Sequence, residues 1–196
     1  MFSTSEYEAL RPMLWHLTHR DNLRLIRHAR RLLPAKDLSD DTLKGPRRGR
    51  KVVPGVPVLR DQDLLHESCV ELLDGWTMSD YLADLASRVF FWSGWSDRPV
   101  EAGRDAAKRY ADTDALIRFP FSDLESRVDV QFSRCNSGAT RMQHGTRVQR
   151  GPSTFRRAPE CTFSAAEVVE VSVIGAVSLP ASTRVAACLT GPWEPL

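Results

Sequence analysis

Met13-Leu14-Trp15-His16-Leu17-Thr18-His19-Arg20-Asp21-Asn22-Leu23 changes its periodicity partway along, and the reading of the whole chain starts from that change. Met13 to Thr18 is an apolar, aromatic and β-branched run that predicts a short strand. From Asp21 onward Leu23, Ile26, Ala29 and Leu33 recur at helical spacing, so a helix is expected, capped by Thr18 or Asp21 and ended by Pro34. Its opposite face holds Arg24, Arg27, His28, Arg30 and Arg31, which read as a basic, solvated surface. Strand alternation puts His16 and Thr18 on one side, with Asn22 at the start of the following helix.

Working outward, residues 44–58 mix a charge cluster with prolines and glycines, and a mobile basic loop is expected over 40–58. Leu64, Leu65, Cys69, Leu72 and Leu73 suggest a helix over 61–73 closed by Gly75, and a second helix starts at Ser79 and runs through Leu85. Arg88-Val89-Phe90-Phe91-Trp92-Ser93 reads as a buried strand. A helix over 100–111 follows, then strands at 115–119 and 128–133. The stretch from Asn136-Ser137-Gly138 to Arg157 reads as loop, and strands are expected at 168–174, 176–179 and 184–189. Helices early and strands late favour a single α+β domain over a doubly wound βαβ sheet.

The chain has 196 residues, 42% hydrophobic and 27% charged, which is enough to bury a core without disulfides or metal. No apolar run reaches membrane-span length, and Met1 to Leu10 lacks a secretory pattern, so a cytoplasmic protein is expected. The formal charge of +2 conceals opposing blocks: +7 over 1–60, −8 over 61–129, +6 over 130–157 and −3 over 158–196. The two basic blocks suit an anionic ligand such as nucleic acid or a pyrophosphate, although solvated surface is the plainer reading. Cys69, Cys135, Cys161 and Cys188 form no CxxC pair, and His16 and His19 lack the partners of a zinc site, so no metal is expected. There is no GxGxxG or Walker-type loop.

The segment Trp15 to Leu23 resembles the first motif of the DarT-like toxins and their uncharacterised bacterial relatives in the NAD-dependent ADP-ribosyltransferase superfamily, in which His-hydrophobic-Thr-His leads into Asn-Leu and a helix. Val89-Phe90-Phe91-Trp92 is similar to the strand bearing their nicotinamide site, and Val169-Glu170-Val171-Ser172-Val173 to the late strand carrying their catalytic glutamate. Arg60-Asp61-Gln62 and, more faintly, Asn136-Ser137-Gly138 resemble related bacterial proteins. No substrate-reading loop matches. The resemblance implies a split β-sheet core, NAD as substrate and toxin behaviour, with an antitoxin or immunity protein a candidate partner, and the basic blocks make DNA or RNA the first acceptor to test.

On that resemblance Glu170 and Arg60 are the candidate catalytic residues, and His16, Thr18, Asn22 and Phe91 or Trp92 the candidate NAD contacts. Cleaving nicotinamide from ribose develops positive charge on the sugar, which a nearby carboxylate stabilises. A guanidinium holds phosphate oxygens through paired hydrogen bonds, and an aromatic ring stacks on nicotinamide. Alternation puts Phe91 and Trp92 on opposite faces, so one of them is expected in the pocket.

Each residue also has an ordinary reading. The aromatics suit a core, Glu170 shares a face with Val168 and Ser172 that is more commonly exposed, and Arg60 can pair with Asp61 or Asp63. Competing functions are a non-catalytic module of the same fold that binds nucleic acid or protein through its arginines, an NAD hydrolase, and a 2′-phosphotransferase. Salt-sensitive binding that survives Glu170→Ala marks the first, and product analysis with NAD separates the others.

Overall fold

A run of seven residues, Met13–His19 (β1), is the central strand of the main sheet and pairs along its whole length with Asp114–Pro120 (β5), from Met13 opposite Pro120 to His19 opposite Asp114. The computed structural model describes residues 1–39, 46–125, 129–140 and 145–196. On its other side β1 meets Arg88–Gly94 (β4) only at Met13, Leu14 and Trp15, opposite Gly94, Ser93 and Trp92. Beyond Trp15 the two strands part. The β4 backbone instead continues its ladder with Glu170–Ile174 (β8), where Trp92 faces Glu170. A cleft therefore opens between the centre strands, at the segment that carries His16 and Thr18.

Gln131–Ser133 (β6), Arg184–Ala186 (β10) and Glu194–Pro195 (β11) complete the sheet in the order β11-β10-β5-β1-β4-β8-β6, antiparallel at every pairing. Arg31–Leu32 (β2) pairs with Val177–Ser178 (β9), and Val70–Leu72 (β3) pairs in parallel with Val148–Arg150 (β7). The helices are Thr4–Leu10 (α1), Leu23–Ala29 (α2), Met78–Ala86 (α3) and Glu101–Arg109 (α4). Ser3 and Glu6 form a capping box on α1, and Thr77 and Asp80 form one on α3. The architecture is α+β with a large antiparallel sheet.

Alternation sorts the core onto the two faces of that sheet. Leu14, Phe91, Ile117, Phe119 and Val171 point into the larger core with Tyr7 of α1. Trp15, Leu17, Trp92 and Leu116 point the other way, beneath Ala106 of α4. A third cluster of Leu65, Tyr81, Leu82, Leu85 and Phe155 seats α3. Each such side chain contributes about 1.5–3 kcal/mol on burial, which explains why the aromatic strand is legible in the sequence.

Several expectations require correction. The apolar spacing over 61–73 does not make a helix. The chain forms a 3-10 turn at Glu67–Cys69 and then β3, because Val70 and Leu72 find a strand partner in β7 that the local pattern does not reveal. Helix α2 ends at Ala29, before Pro34, with Arg30 in the left-handed conformation at φ 50°. Its entry is a 3-10 turn, Arg20–Asn22, capped by the His19 side chain, in place of Thr18 or Asp21. Arg30 is not on a solvated face: its guanidinium donates to the carbonyls of Leu196 at 2.7 Å and Pro180 at 2.8 Å. The strand expected at 128–133 is Gln131–Ser133, and Val128 lies outside the described residues. The late strands are each shorter than expected, at 170–174, 177–178 and 184–186. Strands are also distributed along the chain, so "helices early, strands late" overstated the segregation.

Residues 40–45 of the basic loop lie outside the described residues. Residues 46–58 lack helix and strand, as expected, and side chains fasten them at several points. Asn22 and the Val58 peptide exchange two hydrogen bonds, and Arg48 donates to the carbonyls of Gln62, Asp63 and Leu65.

Candidate functional site

The cleft between β1 and β4 is the mouth of a cavity of about 470 Å³. His16, Thr18 and Asn22, Arg60, Phe91 and Trp92, and Glu170 all line it, together with Asn136, Ser137 and Gly138. The sequence placed Phe91 and Trp92 on opposite faces and admitted one to the pocket. Both line it, at the point where β1 and β4 part, and both remain buried.

Glu170 departs most from its ordinary reading. It is 5% exposed and does not sit on a solvated face. The Ser137 amide donates to its Oε2 at 2.9 Å, and the Ser137 hydroxyl supports the same carboxylate. Burial pushes the acid above the usual carboxylate range, while the Ser137 hydrogen bonds and the charges of Arg60 and Arg150 pull it back. The buried position follows from β8 running between β4 and β6, so that its side chain lies between Trp92 and Ser133.

His16 Nδ1 lies 2.8 Å from the Phe90 carbonyl oxygen, bridging the two strands where their backbones have parted. A carbonyl only accepts, so Nδ1 carries the proton. Burial lowers the imidazole below its ordinary value, with the Arg60 charge acting in the same direction, so the ring is neutral and Nε2 keeps a lone pair. Nε2 can therefore accept a hydrogen bond from a ligand hydroxyl or amide.

Thr18 and Asn22 shape the cavity through bonds to the protein. Asn22 Nδ2 donates to Thr18 Oγ1 at 3.1 Å and to the Val58 carbonyl at 2.9 Å, and Oδ1 accepts the Val58 N–H at 2.8 Å. The amide expected to complete a ligand contact set instead anchors the 46–60 segment to the start of α2.

Arg60 does not pair with Asp61 or Asp63. Its guanidinium lies 5.0 Å from the Trp92 ring centroid and 5.5 Å from that of Tyr110, and it makes no side-chain hydrogen bond or ion pair among the described residues. Stacking uses the flat faces of the group and leaves its N–H edges for a ligand. Asp61 is claimed by other partners: Tyr110 donates to it at 2.8 Å and Arg50 Nε at 3.2 Å. Arg50 also makes a bidentate pair with Asp114, whose side chain is 2% exposed. The sequence did not single out Arg50, Tyr110, Asp114 or Arg150. The faint Asn136-Ser137-Gly138 signal was the one pointer toward the group that holds Glu170.

Among the described residues no group of three or more His, Cys, Asp and Glu side chains is arranged to hold a metal ion, and all four cysteines are free thiols. No helix among the described residues is long and apolar enough to cross a membrane. The site can thus present a buried carboxylate, a neutral imidazole and an uncommitted guanidinium to one ligand. No curated protein matches the chain. Residues 12–183 match the profile described as a family of unknown function, DUF7002, which covers most of the chain, and the protein belongs to that family.

Proposed function

We propose that the protein is an NAD-dependent ADP-ribosyltransferase that cleaves the bond between nicotinamide and ribose and passes ADP-ribose to a macromolecular acceptor, with nucleic acid the first to test. The observation that carries this reading is convergence. Residues from three separated motifs, His16 with Thr18 and Asn22, Phe91 with Trp92, and Glu170, line one cavity with Arg60.

The residues suit the chemistry. An acceptor nucleophile forms a bond to the anomeric carbon as the carbon–nitrogen bond breaks, its electron pair returning to the nicotinamide ring, which leaves neutral. The acceptor's proton passes to a base or to water. Glu170 stabilises the positive charge that develops on the ribose, and its raised proton affinity also suits it to take that proton. His16 Nε2 accepts from a hydroxyl or amide of NAD. The free edges of Arg60 bind phosphate oxygens, and an aromatic of β4 packs on nicotinamide. The exposed Arg24, Arg27 and His28 of α2 and Lys51 are available for an anionic acceptor.

The test is nicotinamide release from NAD by the full chain, with and without single-stranded DNA or RNA, followed by mass analysis of the acceptor. Release that depends on Glu170 and adds one ADP-ribose to the acceptor is expected. Folded protein that releases no nicotinamide and modifies no acceptor overturns the reading.

A further inference from the structure

Arg150 is a buried cation without an ion pair among the described residues. It is 7% exposed on β7, and among the described residues no carboxylate reaches ion-pair distance. Its guanidinium spends two nitrogens on backbone carbonyls, those of Gln149 at 2.8 Å and Ala139 at 3.2 Å, and Nε has no partner. A buried charge is costly unless it is paired or put to use, and a fork of backbone bonds offsets only part of that cost.

What Arg150 grips is the loop that holds Glu170. Residues 136–140 run between α3, β7 and the segment at 64–66. Tyr81, fully buried on α3, donates to the Ser137 carbonyl at 2.8 Å. Thr140, also fully buried, has its amide on the Leu64 carbonyl at 3.0 Å, and its hydroxyl accepts the His66 N–H at 2.6 Å. Arg150 grips Ala139 between those two points. The loop so fixed presents the Ser137 N–H to Glu170 Oε2.

We propose that Arg150 is a positioning residue that acts on Glu170 through the 136–140 loop: its bond to the Ala139 carbonyl keeps the Ser137 N–H on the carboxylate, and its buried charge stands behind that carboxylate as a counterweight. This rests on the reading of Glu170 as the working carboxylate. The groups that face or act on Glu170 are Arg60 from the cavity wall, Arg150 from β7, Tyr81 and Cys135 around the loop, Ser137 itself, and Trp92 and Ser133 across the sheet. Arg60 and Arg150 are the two cations among them, so removing Arg150 leaves a single counter-charge.

Two substitutions separate charge from grip. Arg150→Gln keeps a donor for Ala139 and removes the charge, and Arg150→Lys keeps the charge and loses the fork. The readout is the titration of the Glu170 carboxyl carbon by NMR in glutamate-labelled full chain, identified by its absence in Glu170→Gln, beside the acidic limb of nicotinamide release. Arg150→Gln is expected to move both midpoints upward by about one pH unit through the lost charge, and Arg150→Lys to move them upward by about half a unit through the loosened Ser137 N–H. A Glu170 midpoint that stays put in a folded Arg150→Gln overturns the proposal. If that variant does not fold, a Glu170 midpoint unmoved in Arg150→Lys overturns it, because the Ser137 N–H then stays on the carboxylate without the Arg150 grip on Ala139. The NMR midpoint needs no turnover. A shifted midpoint in a protein that never cleaves NAD removes the transferase reading and keeps the coupling, whereas turnover with an unmoved midpoint does the reverse.

Discussion

Asn22 and Val58 are joined by two hydrogen bonds that run in opposite directions, side-chain Nδ2 to the Val58 carbonyl at 2.9 Å and the Val58 N–H to Oδ1 at 2.8 Å. The side chain imitates a strand neighbour for one residue of a segment that has no strand of its own. It is how the chain between α2 and β3 is brought over the cavity, and hence how Arg60, two residues further on, comes to lie against Trp92.

Asn22→Ala therefore removes both partners of the Val58 peptide together with the bond to Thr18. A loss of about 1–3 kcal/mol is expected in urea unfolding. Limited proteolysis within residues 50–57 should quicken in the same variant. Unchanged cleavage there would show that Arg48 and Arg50 hold the segment without Asn22.

Arg50 ties that segment to β5 through Asp114 and Asp61, both largely removed from water. Arg50→Met leaves two buried carboxylates without their cation, and about 3–5 kcal/mol of stability should be lost. Asp114→Asn in the Arg50→Met background should recover part of it, measured as midpoints of denaturant unfolding, because the uncompensated charge is the source of the loss.

Gly103 lies inside α4, where alanine normally stabilises a helix by about 1 kcal/mol. A Cβ there would lie 2.8 Å from Pro99 Cβ and 3.0 Å from Trp92 Cδ2, so helix propensity and packing oppose each other. Packing should win: Gly103→Ala is expected to lower stability by about 1–3 kcal/mol and to shift Trp92 fluorescence as α4 lifts from the sheet. A stabilised variant would show that the helix moves away at no cost.

Glu170 and His16 make opposite contributions to the dependence of stability on pH. Glu170 holds its proton more tightly in the fold than in the unfolded chain, so stability falls as pH rises from about 4.5, the ordinary glutamate value, through the folded value. His16 holds its proton less tightly, so stability falls as pH drops from about 6.5 through its folded value. Relative to wild type, Glu170→Gln should become progressively more stable on raising the pH through the first window, while nicotinamide release drops by at least about 10²-fold. His16→Gln should lose the acid-side fall. Parallel urea curves for all three proteins across pH 4–8 check both signs.

Short-range pattern was enough for the elements that own their periodicity. β1 and β4 alternate over apolar and aromatic residues whose burial any fold of this chain would demand, and α3 carries its own capping box and apolar face. The segment at 61–73 misleads because leucines spaced for a helix also suit a strand, and its β7 partner lies far along the chain. Glu170 shows the same limit from the other side. Alternation assigns it a face of β8, and an exposed carboxylate is the commoner outcome, but burial depends on which strands flank it.

From the sequence alone follow an α+β chain with an aromatic central strand, a basic helix after the first strand, and a histidine, an arginine and a late glutamate as candidates for one site. Tertiary structure alone decides that β1 parts from β4 after Trp15, which turns a sheet into a cleft. It also decides that Thr18 and Asn22 spend their hydrogen bonds on the scaffold, and that Arg150 and Ser137 stand behind Glu170. Periodicity records which side of a strand a residue takes. Strand order, register and the contacts of irregular segments arise from pairings between distant parts of the chain, and local pattern does not encode them.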